Sequence, residues 1–316
     1  MEAWEAAYGT GRAQAARTRE AFAYCRRVLV AAEGLEFYLA SALLPARKRP
    51  FTWALYGFAR YTDEIVDTTR YTRQHRAARF EAWTGAVDDA LRSGDSSHPV
   101  LHALMRTLER WDIPVCHVRE YLASQEMDLR VTEYATYADL RVFIERASLS
   151  FGRQMLPVLE PLDRVLAGRG GDAMSEAMQL TNIVRDVRED CGLGRVYLPQ
   201  EDLSAFGVSH RDLSGTRVTP QMRAVVRKQV GRARELLVVA ELQEAALPPS
   251  SRPAVRAVHS IYRGLLGKVE MRDFDVFTSR VRLGAVRKAA IGSSALAERF
   301  AGRFAGRRTA AVAAAA

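Results

Sequence analysis

Apolar residues recur every three or four positions along almost the whole chain, and the strict alternation typical of strands is scarce. Phe51, Leu55, Phe58 and Ile65 illustrate this spacing, which places apolar side chains on one face of a helix. The sequence therefore predicts an all-α protein. We expect helices at about 2–31, 36–44, 51–69, 76–93, 100–111, 115–129, 138–159, 172–189, 220–246 and 252–271.

Residues that interrupt helices separate these segments. Pro45 and Pro50, the stretch 93–99, Pro114, the stretch 168–171 and Pro248 mark the predicted breaks. No linker is long enough to divide the chain into domains, so we expect one helical domain over residues 1–300. Residues 301–316 are rich in Ala and Arg and lack an apolar face, which predicts a disordered tail.

The composition is that of a globular protein. Among 316 residues, 48% are hydrophobic and 26% are charged, which excludes wholesale disorder and a fibrous structure. The three isolated cysteines (Cys25, Cys116 and Cys191) argue against a disulfide framework and a structural zinc site, and we expect them to be small buried residues. The six histidines show no metal-binding spacing, and the sequence predicts no role for them.

Charge and hydropathy limit the possible partners. No apolar stretch approaches the roughly 18 residues that a membrane span needs, and the first residues do not resemble a signal peptide, so we expect a cytoplasmic protein. A net charge of +9 suits nucleic acid, an anionic membrane or phosphorylated molecules. We do not expect nucleic-acid binding, because no helix combines a basic face with exposed aromatics. Arg299, Arg303, Arg307 and Arg308 suit peripheral membrane contact, although we favour a solvated tail.

The first motif with chemical content lies in the helix predicted at 51–69. Asp63 and Asp67 are four residues apart and share one helical face with Arg60. Apolar neighbours, including Tyr56 and Ile65, indicate that this face lies near the core. Two carboxylates one turn apart repel each other, and a cation would compensate for that repulsion.

A second motif repeats the arrangement in the helix predicted at 172–189. Asn182, Asp186 and Asp190 follow one another at intervals of four, with Gln179 one turn earlier. Mg²⁺ prefers carboxylate and amide oxygens and commonly binds through one or two carboxylates plus substrate phosphates. Either motif alone would indicate a solvated acidic turn, but two in one chain favour Mg²⁺ ions that bridge to a diphosphate.

Together with 194–199 (Gly-Arg-Val-Tyr-Leu-Pro), the two motifs resemble the squalene/phytoene synthase family of isoprenyl diphosphate synthases. The similarity extends to 37–45, 126–129, 134–137, 155–157 and 273–282. The resemblance implies a prenyltransferase with a single-domain isoprenoid-synthase bundle of helices around a central cavity. It also implies Mg²⁺ as cofactor and a prenyl diphosphate as substrate.

The resemblance assigns roles residue by residue. It implies that the metal ligands are Asp63, Glu64, Asp67, Asn182, Asp186 and Asp190. It implies that the diphosphate is contacted or enclosed by Arg60, Gln179, Arg195 and Tyr197, and that the pocket is lined by Tyr56 and Tyr262.

Several positions depart from the family pattern. Leu35 and Glu36 stand where relatives have a basic and a hydroxyl residue, Ala42 replaces an arginine, and Gly267 replaces an acidic residue. Glu64 replaces the commoner Asp but keeps a carboxylate.

Further departures lie in the helix predicted at 138–159, beside the expected site of the prenyl chains. Arg146, Leu149 and Phe151 are larger than expected there, and we predict that Phe143 and Leu149 contact substrate in a shortened groove.

These departures favour transfer of one short prenyl group, such as dimethylallyl, to an aromatic natural-product acceptor resembling indole or carbazole. The alternative is a phytoene synthase that joins two geranylgeranyl diphosphates, in which case the departures are ordinary drift. Terpene cyclisation on one diphosphate is a third hypothesis. The sequence does not identify the base that would remove the final proton.

Overall fold

The computed structural model describes residues 11–31, 35–213, 215, 217–284 and 293. Over these ranges the chain is helical without β-strands, and an isolated bridge joins Glu133 to Val196. The predicted all-α class is confirmed. The helices are α1 (Arg12–Ala31), α2 (Leu35–Ala42), α3 (Arg49–Asp67), α4 (Arg73–Ser93), α5 (Pro99–Trp111), α6 (Val115–Arg130), α7 (Tyr137–Ile144), a π-helix (Glu145–Leu149), α8 (Ser150–Leu159), α9 (Arg164–Gly192), α10 (Gln200–Ala205), α11 (His210–Leu213), α12 (Pro220–Ala245) and α13 (Arg252–Met271).

Two large hydrophobic clusters form the core. The N-terminal cluster joins buried side chains between positions 21 and 129 with Val158, from α1, α3, α4, α5, α6 and α8. The C-terminal cluster contains buried side chains between positions 134 and 283, mainly from α7, α9, α12 and α13. A smaller group around Leu44, Leu159 and Leu247 lies apart from both.

The start of α9 differs from the prediction. The side chain of Asp163 accepts a hydrogen bond from the Leu166 backbone N–H at 2.9 Å and caps the helix, which therefore begins at Arg164 instead of near 172. The glycines at 168–171 lie inside this helix and do not break it.

Close packing between helices explains at least one of these glycines. A Cβ atom at Gly170 would lie 2.9 Å from the Cα atom of Gln243 in α12 and still closer to that residue's backbone nitrogen. The missing side chain therefore lets α9 and α12 pack backbone against backbone.

The predicted helix at 138–159 is interrupted. A capping box formed by Thr136 and Asp139 starts α7, and the π-helix then separates α7 from α8. A π-helix accommodates an extra residue within a helical path and is often found at functional sites. The spacing of apolar residues does not reveal the π-helix, because apolar residues continue along the chain both before and after it.

Other expectations have mixed outcomes. Cys25 is buried and Cys191 is partly buried, but Cys116 is exposed, so the expected burial is wrong for Cys116.

None of the described helices is long and apolar enough to cross a membrane. The predicted tail at 301–316, with its arginines, and the start of the first predicted helix lie outside the described residues.

Candidate active site

Helix α3 presents Asp63 and Asp67 one turn apart. The Tyr121 hydroxyl of α6 donates a hydrogen bond of 2.5 Å to Asp63 Oδ1 and also contacts the carbonyl oxygen of Ala59 at 3.0 Å. Burial and the nearby charge of Asp67 raise the pKa of Asp63 to about 7, although the hydrogen bond from Tyr121 opposes that rise. The positive charge of Arg60 also opposes the rise without overcoming it, so the surroundings of this carboxyl disfavour its ionised form.

Helix α9 presents Asn182, Asp186 and Asp190 on one face. Asp186 accepts hydrogen bonds from Arg185 and from Arg280, each with a shortest distance of 2.8 Å. Burial alone would raise the pKa of Asp186, but the two guanidinium groups outweigh burial and lower it. Asp190 differs, because burial and the charge of Asp186 raise its pKa to about 8.

The segment after α9 connects the two acidic helices. Arg195 is 6% exposed, and its Nη1 atom lies 2.7 Å from Asp67 Oδ1. The Tyr197 hydroxyl donates a hydrogen bond of 2.5 Å to Oδ1 of Asp128 in α6. Burial raises the pKa of Asp128 to about 7 against the opposing effects of Arg195 and Tyr197.

The carboxylates from three helices form one electrostatic group. Asp67 contributes to the raised pKa values of Asp63, Asp128 and Asp190, and Asp186 contributes to that of Asp190. We call these five residues (Asp63, Asp67, Asp128, Asp186 and Asp190) the acidic cluster. Because Arg185, Arg195 and Arg280 meet only part of its charge, the cluster favours a further cation.

The donor atoms fit Mg²⁺. Besides carboxylates, the face of α9 carries Asn182 Oδ1, which is buried and has no hydrogen-bond partner among the described residues. Within those residues, no three His, Cys, Asp or Glu side chains converge closely enough to hold a metal ion by themselves. Such a site suits an ion that takes one or two protein oxygens and completes its shell with water and phosphate oxygens, as Mg²⁺ does.

A largely apolar cavity of about 860 Å³, counting its opening to solvent, lies between parts of α1, α2, α3, α8, α9 and α13. Its lining includes Phe37, Tyr56, Phe151, Met174 and Val258, with polar atoms from a few other residues. Tyr56 lies one helical turn before Arg60 and two turns before Asp63 on α3. The cavity and the acidic cluster therefore share one helix as a wall.

Only one of the four residues predicted to line the pocket or contact the prenyl chains lines the cavity. Tyr56 lines the cavity, whereas Phe143, Leu149 and Tyr262 are buried in the C-terminal cluster and are absent from the lining. Phe143 packs against Tyr197, with ring centroids 5.2 Å apart. Ser148 of the π-helix and Phe151 of α8 line the cavity instead.

Of the bulky residues predicted to shorten the groove, only Phe151 lines the cavity. Arg146 is exposed, and its Nη1 atom lies 3.8 Å from Met127 Sδ.

The remaining predicted diphosphate and metal residues lie toward the surface. The Glu64 carboxylate is 65% exposed and lies 3.6 Å from Arg60, while Gln179 is partly buried on α9. Neither residue belongs to the acidic cluster.

Sequence reasoning missed the contribution of α6 and of the segment after α13. Tyr121, Gln125 and Asp128 follow one another at intervals of four and three, which places them on one face of α6. That spacing was an available signal, since it resembles the spacing of the two recognised motifs. Arg280 lies in the segment 273–282 that resembles the family, but its hydrogen bond to Asp186, which is far away along the chain, was not predicted.

Comparisons with known proteins agree with this geometry. The squalene/phytoene synthase family profile matches residues 30–287. The phytoene synthase of Arthrospira platensis is 33% identical over 287 residues, covering 85% of this chain and 90% of that protein. The 15-cis-phytoene synthase of Synechococcus elongatus is 33% identical over 280 residues, with the same two coverages.

Two solved structures of synthases are also similar to this chain. A dehydrosqualene synthase in complex with a ligand superposes with a TM-score of 0.80 at 26% identity, covering 89% of this chain and 96% of that one. A squalene synthase from Alicyclobacillus acidocaldarius superposes with a TM-score of 0.73 at 26% identity, covering 81% and 95%.

Proposed function

The chain belongs to the squalene/phytoene synthase family, whose members are prenyltransferases that act on prenyl diphosphates, and from this premise we propose that it is a Mg²⁺-dependent enzyme that condenses two prenyl diphosphates head to head. The names of its relatives support this reaction over the aromatic prenylation that the sequence departures favour. The observation that carries the proposal is the position of the acidic cluster beside an apolar cavity, with α3 contributing to both.

The residues divide the chemistry between them. The acidic cluster and Asn182 would hold Mg²⁺, which supplies positive charge for the departing diphosphate. Arg60 and Arg195 add fixed positive charge near Asp63 and Asp67. The cavity shelters the allylic cation from water, and the Tyr56 ring offers that cation a π-face.

A second candidate function is prenylation of an aromatic acceptor. The observation that favours it is the polar part of the cavity lining, where Ser148, Ser175, Gln243 and His259 interrupt the apolar surface. Hydrocarbon chains cannot hydrogen-bond to these groups, whereas an acceptor with an N–H or O–H group can. Phe151 also narrows the space that a second long chain would need.

We test these reactions by incubating the purified protein and Mg²⁺ with geranylgeranyl diphosphate alone, and separately with dimethylallyl diphosphate and a panel of indoles and carbazoles. Product masses identify the reaction. We expect a C40 hydrocarbon from the first incubation, and roughly 100-fold or greater loss with Asp63→Asn or Asp186→Asn, because each change removes a cluster carboxylate.

Asp89→Asn is the matched control, because the Asp89 side chain is 73% exposed on α4, away from the site. Full activity of either cluster variant would contradict the proposed site. An acceptor that gains one dimethylallyl mass, with no C40 product in the other incubation, would replace the main proposal with the second candidate.

A further inference from the structure

Two arginines in the first turn of α4 contact the ends of two other helices. The Nη1 atom of Arg76 donates a hydrogen bond of 2.5 Å to the carbonyl oxygen of Val66, and the Nε atom of Arg73 donates one to the carbonyl oxygen of Leu129. Arg73 and Arg76 are three residues apart, so they lie on one face of α4. We call these two residues the arginine pair.

The two carbonyl groups lie where their own helices end. Helix α3 ends at Asp67, and helix α6 ends at Arg130. The last four carbonyl groups of an α-helix have no partner within that helix, and those of Val66 and Leu129 are among them. The arginine pair therefore supplies hydrogen-bond donors that the two helices lack.

Each contacted residue is next in sequence to a member of the acidic cluster. Val66 precedes Asp67, and Leu129 follows Asp128. The charge of Asp67 contributes to the raised pKa values of three other members of the cluster. Since the ends of helices fray, the positions of these two carboxylates depend on how well the last turns of α3 and α6 are held.

The arginine pair acts on this region through hydrogen bonds to the backbone. The main positive charge that lowers the pKa of Asp63 is that of Arg60. The main positive charge that lowers the pKa of Asp128 is that of Arg195. The Nε atom of Arg76 is buried and has no hydrogen-bond partner among the described residues. A buried donor without a partner lowers stability, so stability alone does not explain a guanidinium group at this position.

We propose that Arg73 and Arg76 are positioning residues for the metal site. By holding the ends of α3 and α6, they keep Asp67 and Asp128 where the binding of Mg²⁺ needs them. Neither arginine touches the ion or the substrate. The inference rests on the Mg²⁺ site of the proposed function, but it does not depend on which reaction the enzyme catalyses.

Charge alone would have the opposite effect to positioning. Removing a positive charge near the acidic cluster makes the site more negative, and a more negative site attracts a divalent cation more strongly. Removing a hydrogen bond that holds a metal ligand in place weakens binding, and such changes typically cost about 10–100-fold in metal affinity. A weaker affinity after the loss of an arginine therefore identifies positioning.

The experiment measures metal binding directly, without turnover. Mn²⁺ alone is titrated into each protein, and its electron paramagnetic resonance signal reports the free ion. In a second titration, Mg²⁺ is added at a fixed concentration of inorganic diphosphate, and the midpoint of thermal unfolding is followed. Circular dichroism checks that each variant is folded.

The variants Arg73→Met and Arg76→Met, singly and together, remove the donors and keep an aliphatic stem. Arg76→Lys keeps the positive charge and one donor group. Because Arg73 is exposed, Arg73→Met tests the inference even if Arg76→Met does not fold.

Arg252→Met is the matched control. Arg252 donates hydrogen bonds of 3.0 and 2.8 Å to the carbonyl oxygens of Glu244 and Leu247, at and just beyond the end of α12, a helix without any member of the acidic cluster. Arg79→Met controls for the loss of a positive charge from α4. The guanidinium of Arg79 lies over the ring of Tyr71, 4.9 Å from its centre.

We expect Arg73→Met and Arg76→Met each to weaken Mn²⁺ binding roughly 10-fold, and the double variant to weaken it further. Arg76→Lys should show a smaller loss. Arg252→Met should lower thermal stability and keep the wild-type affinity for Mn²⁺. Arg79→Met should bind Mn²⁺ as the wild-type protein does, or slightly more tightly. The titrations with Mg²⁺ and diphosphate should give the same order.

Folded variants of the arginine pair with wild-type or tighter Mn²⁺ affinity would overturn the inference alone. An equal loss of affinity in Arg252→Met would also overturn it, because the loss would then reflect a general loosening of the fold. A wild-type protein that binds no Mn²⁺ and shows no Mg²⁺-dependent rise in the midpoint would overturn the proposed metal site, and this inference with it.

Discussion

At the scale of the residue, a single hydrogen bond distinguishes a tyrosine that contacts the acidic cluster from a neighbour that does not. Tyr197 and Tyr134 are neighbouring buried tyrosines, with ring centroids 6.0 Å apart, but only Tyr197 donates to a carboxylate. The Tyr134 hydroxyl is buried without a hydrogen-bond partner among the described residues. The pair therefore separates the contribution of a hydrogen bond from that of an aromatic ring.

We predict that Tyr197→Phe lowers the free energy of unfolding by roughly 1–3 kcal/mol, because it leaves the buried Asp128 carboxylate without its donor. The same variant should lose activity, since Asp128 belongs to the acidic cluster. Tyr134→Phe, the control, should be neutral or slightly stabilising. Urea unfolding and steady-state kinetics measure both effects, and equal losses in the two variants would argue against the assigned hydrogen bond.

Individual residues were predictable where their spacing repeats. Asp63, Asp67, Asp186 and Asp190 are visible because each pair lies one helical turn apart. Tyr121 is not visible in the same way, because its role depends on a hydrogen bond to a carboxylate in another helix.

At the scale of the element, the packing of α9 against α12 depends on the absence of a side chain. The sequence suggests a helix break at 168–171, since four positions there include three glycines. The structure instead has a helix cap at Asp163 and a close helix crossing at Gly170. Glycine therefore has two physical uses, flexibility and close approach, which a single sequence does not distinguish.

We predict that Gly170→Ala destabilises the protein by about 1–3 kcal/mol, because its Cβ atom would overlap backbone atoms of Gln243. Gly168→Ala is the control on the same helix, since the nearest atom to its Cβ is the flexible Cδ2 of Leu156 at 3.9 Å. Alanine should stabilise that position by up to about 1 kcal/mol. Thermal and urea unfolding test both variants, and a stable Gly170→Ala protein would show that the helices separate easily.

At the scale of the whole molecule, the acidic cluster spans the junction of the two hydrophobic clusters. Asp63, Asp67 and Asp128 come from helices of the N-terminal cluster, while Asp186 and Asp190 come from α9 of the C-terminal cluster. The fold class was predictable from periodicity alone. The junction was not, because it depends on which helices pack together.

A ligand bound at this junction should therefore stabilise the molecule as a unit. We predict that Mg²⁺ and inorganic diphosphate together raise the midpoint of thermal unfolding by several degrees, while either alone has a smaller effect, because the ion and the anion bind jointly. Asp63→Asn should remove most of the shift, and Asp89→Asn should retain it. A shift that diphosphate produces without Mg²⁺ would indicate binding to arginines alone.

The π-helix at Glu145–Leu149 also has a consequence for how the chain tolerates insertions and deletions. Each residue of an α-helix advances by about 100°, so removing one residue here would straighten the path and rotate the two flanking helices relative to each other by about that angle. Phe151 would then leave the cavity wall unless Phe143 left the core. The length of this short segment thus sets the shape of the cavity as strictly as the identity of any residue within it.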